Sequence, residues 1–175
     1  MKRRFSRVGW GADGVDRGGA VGAAAGRVRW QYEREAPDGF TRAGGGAARL
    51  RGSQHLVGFA YGNLVSLQAA SGEVTWARSL ASVSDQFVDV DSNPIIDGDT
   101  VYAASYSGGV YGLDGKDGAV RWRLPIEGAG PLSLIGRRLY FAAPRDGLHA
   151  ILTDGKILWR QGLAEAAELT STVSL

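Results

Sequence analysis

Short apolar runs separated by glycine- and aspartate-rich turns recur along most of the chain. Between residues 93 and 123 there are four such runs, at residues 93–96, 100–105, 110–114 and 120–123. The turns between them contain Gly98, Gly108 and Gly115, which is the turn chemistry of β-hairpins. No segment sustains the period of an amphipathic helix. The pattern predicts four antiparallel strands in this unit and an almost entirely β chain.

A tryptophan phrase marks the last run of each unit. Glycine is followed two places on by a β-branched residue and two places later by tryptophan, and the phrase occurs four times, with Gly26 and Trp30, Gly72 and Trp76, Gly118 and Trp122, and Gly155 and Trp159. The tryptophans are spaced 46, 46 and 37 residues apart. A period of roughly 40–45 residues built from short strands is typical of a β-propeller blade. The sequence therefore predicts an all-β propeller with about four repeats, each a four-stranded blade.

The tryptophans have a predicted structural role. Because side chains alternate across a strand, Val74 and Trp76 are predicted to share one face, and the same spacing holds in the third and fourth repeats. We expect each indole to pack against the next blade and anchor its turn.

The two ends of the chain differ from the middle. Residues 1–25 are rich in glycine and predict a poorly structured or degenerate first-blade segment, whereas residues 26–175 predict a partial propeller. Residues 168–175 have the pattern of the first strand of a further blade. Two interpretations follow: part of a longer propeller, or a ring of four blades closed by this strand. The weak strand pattern of the first unit favours the longer propeller.

Composition excludes several classes of protein. With 27 glycines, 44% hydrophobic residues and a net charge of +2, the chain is typical of a folded globular protein. Its basic residues form no run beyond residues 2–4 and accompany no nucleic-acid-binding motif, so no nucleic-acid partner is predicted. The absence of cysteine excludes disulfides and thiolate metal sites. The sequence as printed shows neither an export signal nor a membrane span.

Motifs for catalysis or cofactor binding fail on their context. Residues 9–14 match G-x-G-x-x-G, but no helix pattern follows. Residues 89–93 resemble the start of a calcium loop, yet Pro94 and Thr100 occupy its glycine and glutamate positions. His55 and His149 are far apart in sequence and lack a neighbouring carboxylate; His149 is predicted in a strand, partly buried or at the rim. No catalytic residue, metal or cofactor is predicted.

Two long, charged connections are the candidate functional region. Residues 32–42 and 84–94 each follow a tryptophan strand, so a propeller would place them on the same face. The candidate contacts are Phe40, Arg42, Phe87, Asp89 and Asp91. A patch of acids, an arginine and aromatic residues suits protein recognition. The alternative is a solvated loop whose aspartates cap local turns.

Two stretches resemble known families. Residues 100–105 and 113–122 resemble the repeat of pyrroloquinoline-quinone-type propellers. Residues 88–94, followed by residues 97–108, more narrowly resemble the BamB family, the propeller lipoproteins of the outer-membrane β-barrel assembly machinery. The similarity covers roughly residues 26–175, and the Asp-Val-Asp connection that ends at Pro94 is its most discriminating part.

The resemblance implies an eight-bladed, non-catalytic scaffold at the periplasmic face of the outer membrane. Members of the family are held there by a lipid on an N-terminal cysteine, which this sequence lacks. The implied partner is the periplasmic part of BamA. The implied partner-binding residues are Asp89, Asp91, Arg42 and Phe40, although one residue of the family pattern is missing around Arg42.

Two other functions remain open from the sequence. One is a fragment of a quinone-dependent dehydrogenase, which would need a calcium site and a catalytic carboxylate in the central funnel; the sequence offers no such constellation. The other is an extracytoplasmic ligand-binding or sensor propeller. Binding of the quinone with calcium would identify the first of these, and binding to BamA would identify the scaffold.

Overall fold

The computed structural model describes residues 8–10, 16–21, 28–34, 49–59, 62–80 and 94–162. All fifteen secondary-structure elements in these ranges are strands, arranged in four antiparallel sheets. The first sheet contains β1 (Val8–Trp10), β2 (Asp16–Val21) and β3 (Val28–Arg34). The second contains β4 (Arg49–Arg51), β5 (Gln54–Phe59), β6 (Asn63–Gln68) and β7 (Val74–Ser79). The third contains β8 (Ile95–Asp97), β9 (Thr100–Ser105), β10 (Gly109–Asp114) and β11 (Val120–Leu124). The fourth contains β12 (Ser133–Ile135), β13 (Arg138–Ala143), β14 (Gly147–Leu152) and β15 (Ile157–Gln161).

Each sheet is a run of hairpins, with its strands hydrogen-bonded in chain order. The four runs predicted between residues 93 and 123 are β8 to β11, so that prediction is confirmed. The four tryptophans lie in β3, β7, β11 and β15, the last strand of each sheet, which confirms the repeat. The four sheets are the blades of a propeller. The first has three described strands, and two of them fall within residues 1–25.

Consecutive sheets pack face to face through apolar side chains. Between the second and third sheets lie Leu56, Leu64, Trp76, Val101, Ala103, Tyr111 and Leu113. Between the third and fourth lie Tyr102, Ala104, Val110, Leu139, Phe141, Ala143 and Ile151. Trp30 and Tyr32 of the first sheet pack on Val57, Val65 and Leu67 of the second. The core is therefore a series of apolar layers between blades.

The alternation predicted around the tryptophans is wrong, because a β-bulge interrupts it. Trp76 pairs with Ser66, but Val74 pairs with Leu67, so Thr75 is an extra residue in β7. Since neighbours on a strand point to opposite faces, Val74 and Trp76 lie on opposite sides of the sheet. The third and fourth sheets have the same register shift before Trp122 and Trp159, and the first has it before Trp30.

In three of the four repeats the bulged strand directs its indole onto the next blade, as expected for an anchor. The Trp76 indole nitrogen donates a hydrogen bond to the Gly115 carbonyl oxygen at 3.3 Å. Gly118 lies against the same ring, and a Cβ there would be 2.5 Å from Trp76 Cε3. Its φ of 71° is also one that favours glycine. The tryptophan phrase therefore joins two blades: the glycine of one repeat receives the tryptophan of the repeat before it.

This contact occurs at three successive interfaces. Trp30 and Trp122 donate to the carbonyl oxygens of Ala69 and Thr153 at 3.1 and 3.0 Å. Gly72 and Gly155 lie under these two rings. Trp159 has no such cover among the residues that the structure describes and is 46% exposed. Gly26 lies outside the described ranges.

The hairpin topology gives the stack two distinct faces. One, which we call the turn face, carries the tight turns that precede β5, β7, β9, β11, β13 and β15, at residues 52–53, 69–73, 98–99, 115–119, 136–137 and 153–156. The opposite one, the loop face, carries residues 106–108, 144–146 and the connection 125–132 between the third and fourth sheets. Each connection from a tryptophan strand to the next sheet starts and ends on the loop face.

Candidate functional site

The four partner-binding residues predicted from sequence, Asp89, Asp91, Arg42 and Phe40, lie outside the described residues, as does Phe87. The structure does describe where the connection that carries the aspartates begins. The buried Leu80 accepts a hydrogen bond from the Tyr111 hydroxyl at 3.1 Å, and its own N–H donates to the Gly62 carbonyl oxygen. Burial raises the pKa of Tyr111, which keeps its hydroxyl protonated as a donor. The connection therefore departs from a fixed point on the loop face.

The described part of the loop face carries one exposed aromatic side chain, that of Tyr106. This residue lies in the turn between β9 and β10 and is 53% exposed. Its carbonyl oxygen accepts a hydrogen bond from the Gly128 N–H at 2.7 Å. Gly128 and Pro144 lie beside it, since a Cβ on Gly128 would be 3.6 Å from the Tyr106 ring and 3.1 Å from Pro144. The aromatic ring is therefore held by the third-to-fourth-sheet connection.

Two exposed, long ion pairs lie at or near this face, in the 125–132 connection, the 144–146 turn and β15. Arg145 lies 3.9 Å from Glu127, and Arg160 lies 3.7 Å from Asp146. These arginines are 86% and 61% exposed. Exposed pairs at such distances contribute little stability. Their charges consequently remain available to a binding partner.

On the turn face, Arg51 is used in contacts between blades. It pairs with the Asp99 carboxylate and donates to the carbonyl oxygens of Gly98 at 3.2 Å and Gly115 at 3.4 Å. A further hydrogen bond, of 3.2 Å, goes to the Gln54 side chain. The guanidinium thus joins the first strand of the second sheet to two turns of the third. Its role is structural, because its donors are already satisfied within the protein.

A shallow depression of about 470 Å³ lies beside Arg51 on the turn face. It is lined by Arg51, Gly52, Ser53, Gln54, Gly98 and Lys116. Nearby, the Lys116 N–H and the Arg121 guanidinium hold the pKa of Asp114 below its usual value. Asp114 is paired with Arg121, and Arg51 is paired with Asp99. The ammonium group of Lys116 is therefore the cation of the lining that can reach a ligand. The depression is open and its lining is mostly polar, whereas small-molecule sites are concave and mostly apolar.

The two histidines lie between blades and far from any open surface. His149 is in β14, as predicted, but it is only 2% exposed, so the prediction of a partly buried or rim position is wrong. Its ring stacks on Phe141 at 4.9 Å, on the face that packs against the third sheet. His55 is 1% exposed and contacts Trp30 between the first and second sheets. Burial lowers the pKa of both, and for His149 Asp146 acts against this effect and Arg160 with it.

Both histidines are therefore buried beside aromatic rings. Within the described ranges no group of three or more His, Cys, Asp or Glu side chains could hold a metal ion. The described ranges also contain no helix that is long and apolar enough to span a membrane. The described part of the loop face presents an ordered aromatic side chain and exposed charges of both signs.

Sequence reasoning did not identify Tyr106 or Arg145. The available signal was local: Tyr106 occupies a hairpin turn, where small and polar residues are expected. An aromatic at such a position cannot be covered by its own sheet. Burial of the ring would therefore need another part of the protein or a partner.

Comparison with known proteins identifies the family. The family model described as "Outer membrane protein assembly factor BamB" matches residues 11–161. The curated BamB of Legionella pneumophila (strain Paris) is 34% identical over 122 residues, which are 66% of this chain and 32% of the relative.

Solved structures support the fold. The crystal structure of BamB from Moraxella catarrhalis matches with a TM-score of 0.71 and 24% identity, over 86% of this chain and 47% of that one. Quinohemoprotein alcohol dehydrogenase from Comamonas testosteroni matches with a TM-score of 0.67 and 15% identity, over 85% of this chain and 33% of that one. Identities this low show a common propeller fold alone.

The chain spans about a third of the Legionella relative (32%) and about half of the Moraxella structure (47%). The family match itself extends from the first sheet to the end of β15. The chain belongs to the family of outer membrane protein assembly factor BamB.

Proposed function

We propose that this protein is a non-catalytic scaffold of outer-membrane β-barrel assembly and that its loop face binds the periplasmic domains of a BamA-like protein. The observation that carries the proposal is the family match over residues 11–161. Curated relatives from several bacteria carry the name outer membrane protein assembly factor. The proposed location is the periplasmic face of the outer membrane.

The physical character of the loop face supports a binding role. The turns on this face are fixed by backbone hydrogen bonds, such as that between Gly128 and Tyr106. A rigid surface loses little conformational entropy when a partner binds. The connections predicted to bind, which contain Arg42 and Asp91, start and end on this same face. Aromatic and arginine side chains are also the types enriched in protein interfaces.

The test is the affinity of the protein for the periplasmic domains of the BamA-like partner, measured by calorimetry. We expect Asp91→Ala and Arg42→Ala each to weaken binding more than tenfold. Removing one charge from a hydrogen-bonded pair in an interface typically costs about 2–5 kcal/mol, since the other charge is left buried and unpaired.

Matched controls come from the turn face. Lys116→Ala removes an exposed cation there, and Asp117→Asn removes a charge while keeping the oxygen that accepts the Ala119 N–H. Both should bind with unchanged affinity. Normal binding by Asp91→Ala and Arg42→Ala would show that these connections do not bind the partner. Loss of folding in Asp91→Ala would identify the aspartate as a turn cap instead.

The second candidate function is that of a dehydrogenase. It is supported by the propeller fold that the chain shares with quinohemoprotein alcohol dehydrogenase. We propose that the protein binds no quinone. Titration with pyrroloquinoline quinone and calcium should leave its thermal stability unchanged. A stabilisation that increases with quinone concentration would favour the enzyme.

A further inference from the structure

We infer that Tyr106 and Arg145 form a second contact region on the loop face, one that receives an apolar side chain next to a carboxylate of the partner protein. This inference rests on the proposed function and adds described residues to the surface predicted from sequence. It concerns residues of the third and fourth sheets, whereas the predicted contacts belong to the connections that precede the second and third.

Tyr106 differs in position from the other exposed large hydrophobic residues of the described ranges. Val74, Val120, Ile135 and Ile157 are at the turn-face end of their sheets, and Leu158 and Trp159 lie in the middle of β15. Tyr106 alone among them is on the loop face. Its neighbour Ser107 is buried, so the turn directs the aromatic side chain, and not its polar neighbour, toward solvent.

The Tyr106 side chain is held in place before any partner binds. Its backbone is hydrogen-bonded to Gly128, and the ring lies close to the Gly128 backbone near Pro144. A Cβ at Gly128 would be in ordinary contact with the ring, at 3.6 Å, and closer to Pro144, at 3.1 Å; the φ of 71° at this position also favours glycine. An aromatic residue that is already ordered contributes binding energy at small entropic cost.

Arg145 supplies a charge on the same part of the loop face, because it follows Pro144, which lies beside Gly128 as the ring does. It is 86% exposed, and its one described pairing, with Glu127, is 3.9 Å long with both side chains in solvent. Such a pair is easily exchanged for a carboxylate of a partner. A guanidinium can bind a carboxylate through two parallel hydrogen bonds, which fixes the orientation of the partner.

The position of Tyr106 links it to the predicted surface. Gly108, in the same turn, lies directly against the Leu80 carbonyl, where the connection of residues 81–93 begins. The Tyr111 hydroxyl also bonds that carbonyl, at 3.1 Å. The connection therefore begins beside the Tyr106 turn. One folded domain can contact both regions.

The experiment measures the affinity of Tyr106→Ala, Tyr106→Phe and Arg145→Ala for the BamA-like periplasmic domains. We expect Tyr106→Ala to weaken binding about tenfold or more, as for an interface aromatic. Arg145→Ala should weaken it several-fold, with a larger effect at low salt. Tyr106→Phe should stay close to wild type, because the ring is retained. All three should unfold at the wild-type temperature, and Lys116→Ala on the turn face is the control.

The outcomes separate this inference from the proposed function. If Asp91→Ala loses binding while Tyr106→Ala and Arg145→Ala bind normally, the second contact region is refuted and the proposed function stands. Absence of any binding by the wild-type protein refutes both. If Tyr106→Ala unfolds at a lower temperature and Arg145→Ala binds normally, the tyrosine is covered by this chain itself and the inference fails.

Discussion

The contact that Trp76 makes with the next blade, and that Trp159 lacks among the described residues, predicts that these two residues at the same repeat position differ sharply in their contribution to stability. Trp76 is 7% exposed and donates a hydrogen bond to Gly115, whereas Trp159 is 46% exposed. A tryptophan side chain presents about 200 Å², and each Å² buried contributes about 25 cal/mol. Near-complete burial of Trp76 thus corresponds to about 5 kcal/mol, and half-burial of Trp159 to about 2.5 kcal/mol.

Trp76→Ala should therefore destabilise the protein by at least about 2 kcal/mol more than Trp159→Ala, and the lost hydrogen bond increases the difference. The assay is urea unfolding followed by far-ultraviolet circular dichroism, because the fluorescent indoles are the groups being removed. Equal losses for the two variants would refute the argument, since the next blade would then add nothing to the stability of its tryptophan.

Three further changes test the contacts between blades and the buried histidine. Gly118→Ala places a Cβ 2.5 Å from Trp76, whereas Gly98→Ala places one in open space at a similar positive φ, so Gly118→Ala should cost about 2 kcal/mol more in urea unfolding; equal costs would contradict the contact. Burial lowers the pKa of His149 in the folded protein, so as the pH falls the imidazole is protonated in the unfolded chain before it is protonated in the folded one. The contribution of His149 to stability is therefore complete above about pH 6.5 and decreases below that pH. The urea midpoint of His149→Phe should fall less than that of wild type between pH 7.5 and 5.5, and identical slopes would refute this role. Arg51→Ala should destabilise by about 1–2 kcal/mol, because the Gly98 and Gly115 carbonyl oxygens each lose a hydrogen bond, whereas Asp99→Ala should cost under about 1 kcal/mol, because that carboxylate is 65% exposed; the reverse order would show that the ion pair dominates.

Much of the fold could be predicted because its signals are local. The turn glycines and the apolar runs between them fix strand boundaries without knowledge of distant contacts. The spacing of the tryptophans then gives the length of a repeat, and their recurrence gives the four sheets of this chain. Even the anchoring role of Trp76 follows from its recurrence, since a repeat cannot bury its own apolar face.

What could not be predicted depends on register and on neighbours. The extra residue Thr75 in β7 reverses the face of Val74, and a rule of strict alternation cannot detect a bulge. The burial of His149 depends on Phe141 and on the third sheet, which local sequence does not reveal. Whether Trp159 is covered likewise depends on what lies beyond its sheet. The loop-face residue Tyr106 was missed because its surroundings are set by the distant connection of residues 125–132, which contacts it at Gly128.

The candidate site was predicted less completely than the fold. Asp89, Asp91, Arg42 and Phe40 remain predictions that rest on family resemblance and on the common face of two connections. The structure adds the fixed starting point of one connection at Leu80 and the described residues around Tyr106. Long connections carry functional residues whose positions depend on the partner as much as on local sequence.

The measurement that tests the central claim most directly is hydrogen–deuterium exchange of the protein with and without the BamA-like periplasmic domains. The account predicts slower exchange on the loop face, at residues 105–109, 125–132 and 144–147, when the partner is present. Exchange on the turn face, at residues 115–119 and 153–156, should not change. Protection of the turn face, or no protection anywhere at saturating partner, would contradict the claim that this propeller is a scaffold that binds through its loop face.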